Sequence, residues 1–268
     1  MSKKSLGIVF ATLLMVSGSA FADEFYFAAP PPGVVWDGVY VNPYTANELS
    51  PQTIKGMTIY CDDWDTEFSG NPDWAANVYA VNQANVTNFR FGSNTTTQSV
   101  SLSGSGAAAQ LVYGGTMASA NAYTLYLEAV YLDQQIQALG TNSQAQQEEL
   151  SAAEWTLFTN SSITSTLLND INGGDTGNGV SGGAFATAVY NDLLAAASGI
   201  TSSGFSAAGW DVIVPVGNAS NGGPMQEFLV DGNLYGPLDT VPEPSAVILL
   251  GTIAGLLGLT KLRRRRQA

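Results

Sequence analysis

Residues 122–140 read AYTLYLEAVYLDQQIQALG, and the spacing of their apolar positions decides the fold class. Tyr123, Tyr126, Leu127, Val130, Tyr131 and Ile136 recur at steps of three and four. That is the period of one face of an α-helix, not the period of two of a strand. Gly140 can stop this helix, and Asn142-Ser143 can cap a second one from about Ser143 to Phe158, with Leu150, Trp155 and Phe158 inward. The glycine-rich run NGGDTGNGVSGG at 172–183 reads as a long loop, and a third helix is predicted from about Ala184 to Ala197.

Outward from this helical centre the pattern changes. Upstream, VVWDGVYV (34–41), MTIYCDDW (57–64) and WAANVYAVN (74–82) are rich in β-branched and aromatic residues, and FRFGS (89–93) is expected to continue the sheet. Residues 23–36, which include FAAPPPGVVW, read as a loose, proline-stiffened lead-in. Residues 93–110 read as a loop or weak edge strand. Downstream, GWDVIVPV (209–216) and MQEFLVDG (225–232) are two strands around the wide hairpin loop GNASNGGP. The order strands, helices, strands predicts an α+β fold. It is a β-rich domain, barrel or sandwich-like sheet, with an inserted helical subdomain, one compact core and no internal repeat.

The two ends carry a different message. Lys3 and Lys4, the apolar run Leu6 to Val16 and then Ala20-Phe21-Ala22 have the order of a secretory signal peptide, 1–22, with signal peptidase cutting before Asp23. At the other end, 241–268, the apolar run from Ala246 to Leu259 with its flanks predicts a membrane-spanning helix over about 246–262. Lys261 and Arg263, Arg264, Arg265 and Arg266 follow it and hold that end in the cytoplasm.

The intervening domain, 23–240, is strongly acidic. Of nine basic residues it holds only Lys55 and Arg90, and of 22 acidic residues all but Glu243, a net charge of −19. Nucleic acid is excluded as a partner, because phosphates need a basic footprint. The chain has no histidine, which removes the commonest general base and most zinc and copper sites. Its single cysteine, Cys61, rules out an intramolecular disulfide. No pair of carboxylates stands out for hydrolysis, and the expectation is a protein that is not an enzyme.

Val241-Pro242-Glu243-Pro244-Ser245, a short apolar helix and a closing arginine cluster resemble the PEP-CTERM sorting signal. The resemblance covers about the last 28 residues. It implies a Gram-negative bacterium that makes exopolysaccharide, and processing by an exosortase, a membrane protease that removes the tail. The exported chain would be anchored briefly by the helix and then reside at the cell surface or in the extracellular matrix, with a structural or adhesive role in biofilm.

A second resemblance lies in the body. MTIYCDDWDTEF and the stretch YLEAVYLDQQIQALG followed by QQEELSAAEWTLF are similar to thioester domains of bacterial surface adhesins. There a Tyr-Cys motif is bonded covalently to a glutamine four residues before a tryptophan. Tyr60, Cys61, Leu150 and Trp155 fit, but Ser151 stands where the glutamine should be, and Glu154 stands where an apolar residue is expected. Gln147 and Gln146 lie a turn earlier and would need a shifted bond. The resemblance implies a degenerate scaffold with Cys61 as a buried apolar residue near Trp155, with a covalent adhesin as the alternative.

A glycan- or calcium-binding module is a further alternative. Asp62, Asp63, Asp65 and Glu67 supply hard oxygen ligands in one short run, without the spacing of an EF-hand. Trp36, Trp64, Trp74, Trp210, Tyr40 and Tyr44 are candidates for stacking on sugar rings. No other cofactor is expected.

Overall fold

A computed structural model describes residues 22–27, 35–36, 39–50, 54–62, 64, 73–92, 100–113, 121–139, 143–158, 164–173 and 182–235. Residues 1–21 of the expected signal peptide and the whole of the expected sorting tail lie outside the described residues, and no helix among the described residues is long and apolar enough to cross a membrane.

Six strands close into an antiparallel barrel: β1 (Asp23–Phe27), β4 (Tyr44–Ser50), β5 (Ile54–Cys61), β6 (Asp73–Ala80), β9 (Trp210–Pro215) and β10 (Phe228–Asp231). The order around the barrel is β1-β4-β5-β10-β9-β6, and β6 returns to β1. Of the two expected arrangements, the barrel is the one formed. Side chains alternate across its wall, as the pleat requires. Phe25 and Phe27, Tyr44 and Ala46, Met57, Ile59 and Cys61, Trp74, Ala76 and Val78, and Phe228 and Val230 fill the interior. Tyr60, Val212 and Leu229 point the other way, into a second apolar cluster shared with the helices. The single core expected from sequence is therefore two cores, one on each side of the barrel wall.

The helices enter between β6 and β9, which are neighbours in the barrel, so the insertion leaves and returns at one place. They are α1 (Ala122–Leu139), α2 (Gln144–Phe158), α3 (Thr164–Gly173) and α4 (Gly182–Gly199), with a single turn, α5 (Gly232–Tyr235), after β10. Asn121 caps α1 by accepting the Thr124 N–H at 2.9 Å. The buried stripe of α1 runs through Leu125, Ala129, Leu132 and Ile136 and includes Asp133. Helix α2 packs against both α1 and α4, and almost every side chain from Gln147 to Phe158 is buried.

Several expectations are corrected. The lead-in begins with a barrel strand, β1, whose Phe25 and Phe27 are core residues. Phe89–Gly92 forms turns after a short 3-10 segment at Val86–Asn88, not a strand. The weak edge in 93–110 is a separate hairpin, β7 (Val100–Ser103) with β8 (Gln110–Tyr113), outside the barrel. Likewise β2 (Val35–Trp36) and β3 (Val39–Tyr40) pair only with each other. Helix α3 had no counterpart in the sequence reading; its Asn172 side chain brackets Leu111, accepting the N–H at 2.7 Å and donating to the carbonyl at 2.9 Å.

Candidate functional site

Cys61 ends strand β5 opposite Phe228 of β10. On its other side β4 pairs Tyr44 with Ile59, so the next ladder step would pair Asn42 with Cys61. Pro43 has no N–H to give to that ladder. The side chain of Asn42 takes over: its Oδ1 accepts the Cys61 N–H at 2.6 Å, and its Nδ2 donates to the Cys61 carbonyl at 3.1 Å. The same residue reaches helix α2, where its backbone N–H donates to Ser151 Oγ at 3.1 Å and its Nδ2 donates to Glu154 Oε2 at 2.6 Å. Trp155 completes the seam by donating Nε1–H to the Cys61 carbonyl at 2.8 Å, and Trp64 packs on its ring with centroids 4.9 Å apart.

The structure thus joins Cys61 to Ser151 and Glu154 through one asparagine, with Trp155 bonded directly to the Cys61 carbonyl. The thiol itself lies inside the barrel cluster, and burial followed by the neighbouring Cys61 pushes the Tyr44 phenol up. Tyr60 faces outward into the helical cluster, where Leu150 also packs. Gln146 lines a groove of about 240 Å3 between α1, α2 and α4, together with Tyr131, Gln135, Glu149, Leu150 and Asp192. Gln147 is buried on the stripe of α2 that carries Ser151, one turn earlier.

A set of buried carboxyl groups lies along the same seam, and sequence reasoning missed it. Asp62, Asp133, Glu154 and Glu227 are each 0 % exposed. Glu154 of α2 and Asp133 of α1 act on one another's carboxyl groups. Burial drives both groups well above the usual carboxylate range; for Glu154 the neighbouring Asp133 and Asp62 add to it and the Asn42 N–H opposes it. Glu227 accepts from the Tyr126 hydroxyl and, at 2.7 Å, from the Arg90 backbone N–H, with Asp62 acting on it as well. Its pKa is raised by burial, with those partners and the Arg90 charge pulling the other way. The one signal for this set in the sequence was Glu154 at a position expected to be apolar.

Of the calcium candidates, Asp62 is turned inward to Glu227, while Asp63, Asp65 and Glu67 lie outside the described residues. Among the described residues no group of three acidic, histidine or cysteine side chains is placed to hold a metal ion. Trp74 and Tyr44 fill the barrel and Trp210 packs beneath the helices, so these three are core residues and not sugar platforms. Trp64 is partly buried against Trp155, and the side chains of Trp36 and Tyr40 lie outside the described set.

The seam is built from buried hydrogen bonds between barrel and helix. The backbone of Cys61, the Trp155 N–H and the carboxyl of Glu154 meet there around Asn42, where water does not reach. No protein-family model, no curated protein and no solved structure matches the chain.

Proposed function

We propose that the chain is an exported, exosortase-sorted protein of the cell surface or extracellular matrix, with a structural or adhesive role in exopolysaccharide, and that it is not an enzyme. The observation that carries this reading is the tripartite tail: Val241-Pro242-Glu243-Pro244-Ser245, then the apolar run to Leu259, then Lys261 and the arginines, behind an acidic body and an N-terminal signal. The apolar run holds the chain in the inner membrane while the arginines stop it from following the body outward. The two prolines keep the segment before it extended and open to a protease.

The body supports a passive scaffold better than a covalent adhesin. Ser151, in the place of the glutamine, has no acyl carbon for a thiol to bond to. Its hydroxyl instead accepts the Asn42 N–H, and the same asparagine ties down the backbone of Cys61. The degenerate site has become a set of hydrogen bonds joining barrel and helix.

The test is the intact mass of the native protein recovered from its host. A chain that starts at Asp23 and ends near Pro244, with no further deficit, is the expected result. A tail still attached would overturn the sorting reading. A further loss of one ammonia would make Cys61 a thioester partner and replace the scaffold with the covalent adhesin.

A further inference from the structure

The groove between α1, α2 and α4 has room for about 240 Å3 of guest, and three helices each turn one stripe toward it. Tyr131 and Gln135 come from α1, Gln146, Glu149 and Leu150 from α2, and Asp192 from α4. Steps of three and four residues keep each set on one face of its helix. Glu149 and Asp192 are half-buried, while Gln135 and Gln146 are exposed. Among the described residues no hydrogen bond or ion pair takes up any of these four polar side chains. The two cations of the body lie elsewhere. Arg90 donates to the Met225 carbonyl at 3.2 Å beside Glu227, and Lys55 is exposed on β5. Two carboxylates therefore line one groove from facing helices, with no counter-charge from the described residues. Burial raises Asp192 to about 6, and burial followed by Asp192 and Glu148 raises Glu149. A cation seated between them relieves that cost.

The rest of the lining says what kind of cation fits. Two primary amides, each with donors and an acceptor, suit hydroxyl groups. The groove is far larger than a bare metal ion, and among the described residues no third acidic, histidine or cysteine side chain completes a metal site. It is smaller than the pockets of about 300–1,000 Å3 that take drug-sized ligands. We propose that the groove binds a small organic ammonium ion that carries hydroxyl groups, an amino sugar with a free amine. The ammonium sits between Glu149 and Asp192, the hydroxyls meet Gln135 and Gln146, and the apolar side of the ring lies on Tyr131 and Leu150. This binding rests on the groove and not on the sorting tail, so it holds or fails separately from the proposed route to the surface. A body with a net charge of −19 gathers small cations over its whole surface. The deciding property is therefore dependence on these two carboxylates.

The experiment is an NMR titration of the full chain at about pH 7, where an aspartate at the Asp192 value is ionised. The ligands are glucosamine, N-acetylglucosamine, propylamine and calcium, and the proteins are wild type, Glu149→Gln and Asp192→Asn. N-acetylglucosamine keeps the ring and hydroxyls and loses the charge, whereas propylamine keeps the charge and loses the hydroxyls. Each variant keeps the shape of its side chain and loses one carboxylate. The expected result is one saturable glucosamine site on wild type, weakened at least about tenfold by N-acetylation of the ligand or by either substitution. Propylamine should bind at least about threefold more weakly than glucosamine. Equal binding of the two sugars, or a folded variant that binds as wild type does, overturns the proposal and leaves only the ion atmosphere of an acidic protein. Propylamine as tight as glucosamine overturns the sugar assignment, and displacement of glucosamine by an equal concentration of calcium overturns it in favour of a metal site. The wild-type comparisons among ligands stand by themselves, so a variant that fails to fold does not shelter the idea.

Discussion

The side-chain amide of Asn42 donates to Glu154 Oε2 at 2.6 Å, across 112 residues of chain. With the bonds that the same residue makes to Cys61 and Ser151, this contact fastens the barrel to α2. Asn42→Ala removes the side-chain bonds and leaves the Cys61 N–H and a buried Glu154 oxygen without a partner. Unmet buried groups cost more than the bonds were worth, about 1–3 kcal/mol each, partly relieved by water entering the gap. A loss of about 3 kcal/mol in urea unfolding is expected, with the slope against urea unchanged. A loss below about 0.5 kcal/mol would place the fastening elsewhere.

The carboxyl groups with shifted pKa values all move upward, and this sets an unusual pH dependence. Burial raises Glu128 to about 7, and burial together with Asp231 raises Asp211 to about 6. Asp133, Glu154 and Glu227 are also raised, chiefly by burial. A carboxyl with a raised folded value binds more protons in the folded state than in the unfolded state at any pH between the two. Stability is therefore full below the unfolded value near 4 and is lost as the pH rises through the folded value, about 1.4 kcal/mol per pH unit for each retained proton. Urea unfolding should show a decline of at least about 2 kcal/mol from pH 5.5 to 7.5. A stability that rises over that window would show that these groups ionise without penalty in the folded chain.

Much of the fold was legible in local pattern, and the rest was written in pairing. Helix α1 declared itself because Tyr126, Val130 and Ile136 keep its period, and β9 and β10 because WDVIVP and FLVD are β-branched and apolar. Strand β4, with the sequence YTANELS, carries little of that signal. It is made a strand by β1 on one side and β5 on the other, and neither neighbour is near enough in pattern to show it. β1 was hidden by the prolines that follow it. The buried acids were harder still, since a carboxylate reads as a surface residue until its partner is known. Only Glu154, out of place beside Trp155, gave a sign.

Gly199, the last residue of α4, is predicted not to tolerate alanine. A Cβ there would lie 2.2 Å from Cε2 of Tyr131, whose ring packs on Phe205 with centroids 6.2 Å apart. The helix would gain up to about 1 kcal/mol from the propensity of alanine over glycine. Forcing the ring aside costs about 1–3 kcal/mol, so the clash wins. Gly173, at the end of α3, has open space where its Cβ would go, and Gly173→Ala serves as the control, neutral or slightly stabilising. Equal midpoints for the two variants would mean that Tyr131 moves freely.

Cys61 is predicted to behave as a core residue and not as a reactive thiol. It is 1 % exposed and belongs to the barrel interior with Tyr44, Ile59 and Phe228. A thiol reagent added to the folded chain at mildly acidic pH should label it only at the rate at which the barrel opens, and labelling should become fast in urea. Cys61→Ala deletes one sulfur from a packed interior and should cost about 1–2 kcal/mol. Cys61→Ser keeps the volume nearer but puts a hydroxyl among aromatic rings, and should cost at least as much. The two variants separate packing from chemistry. If a partner surface is captured by wild type and Cys61→Ala alike, the residue serves the barrel alone; if capture is lost while both variants keep wild-type stability, the sulfur itself makes the bond.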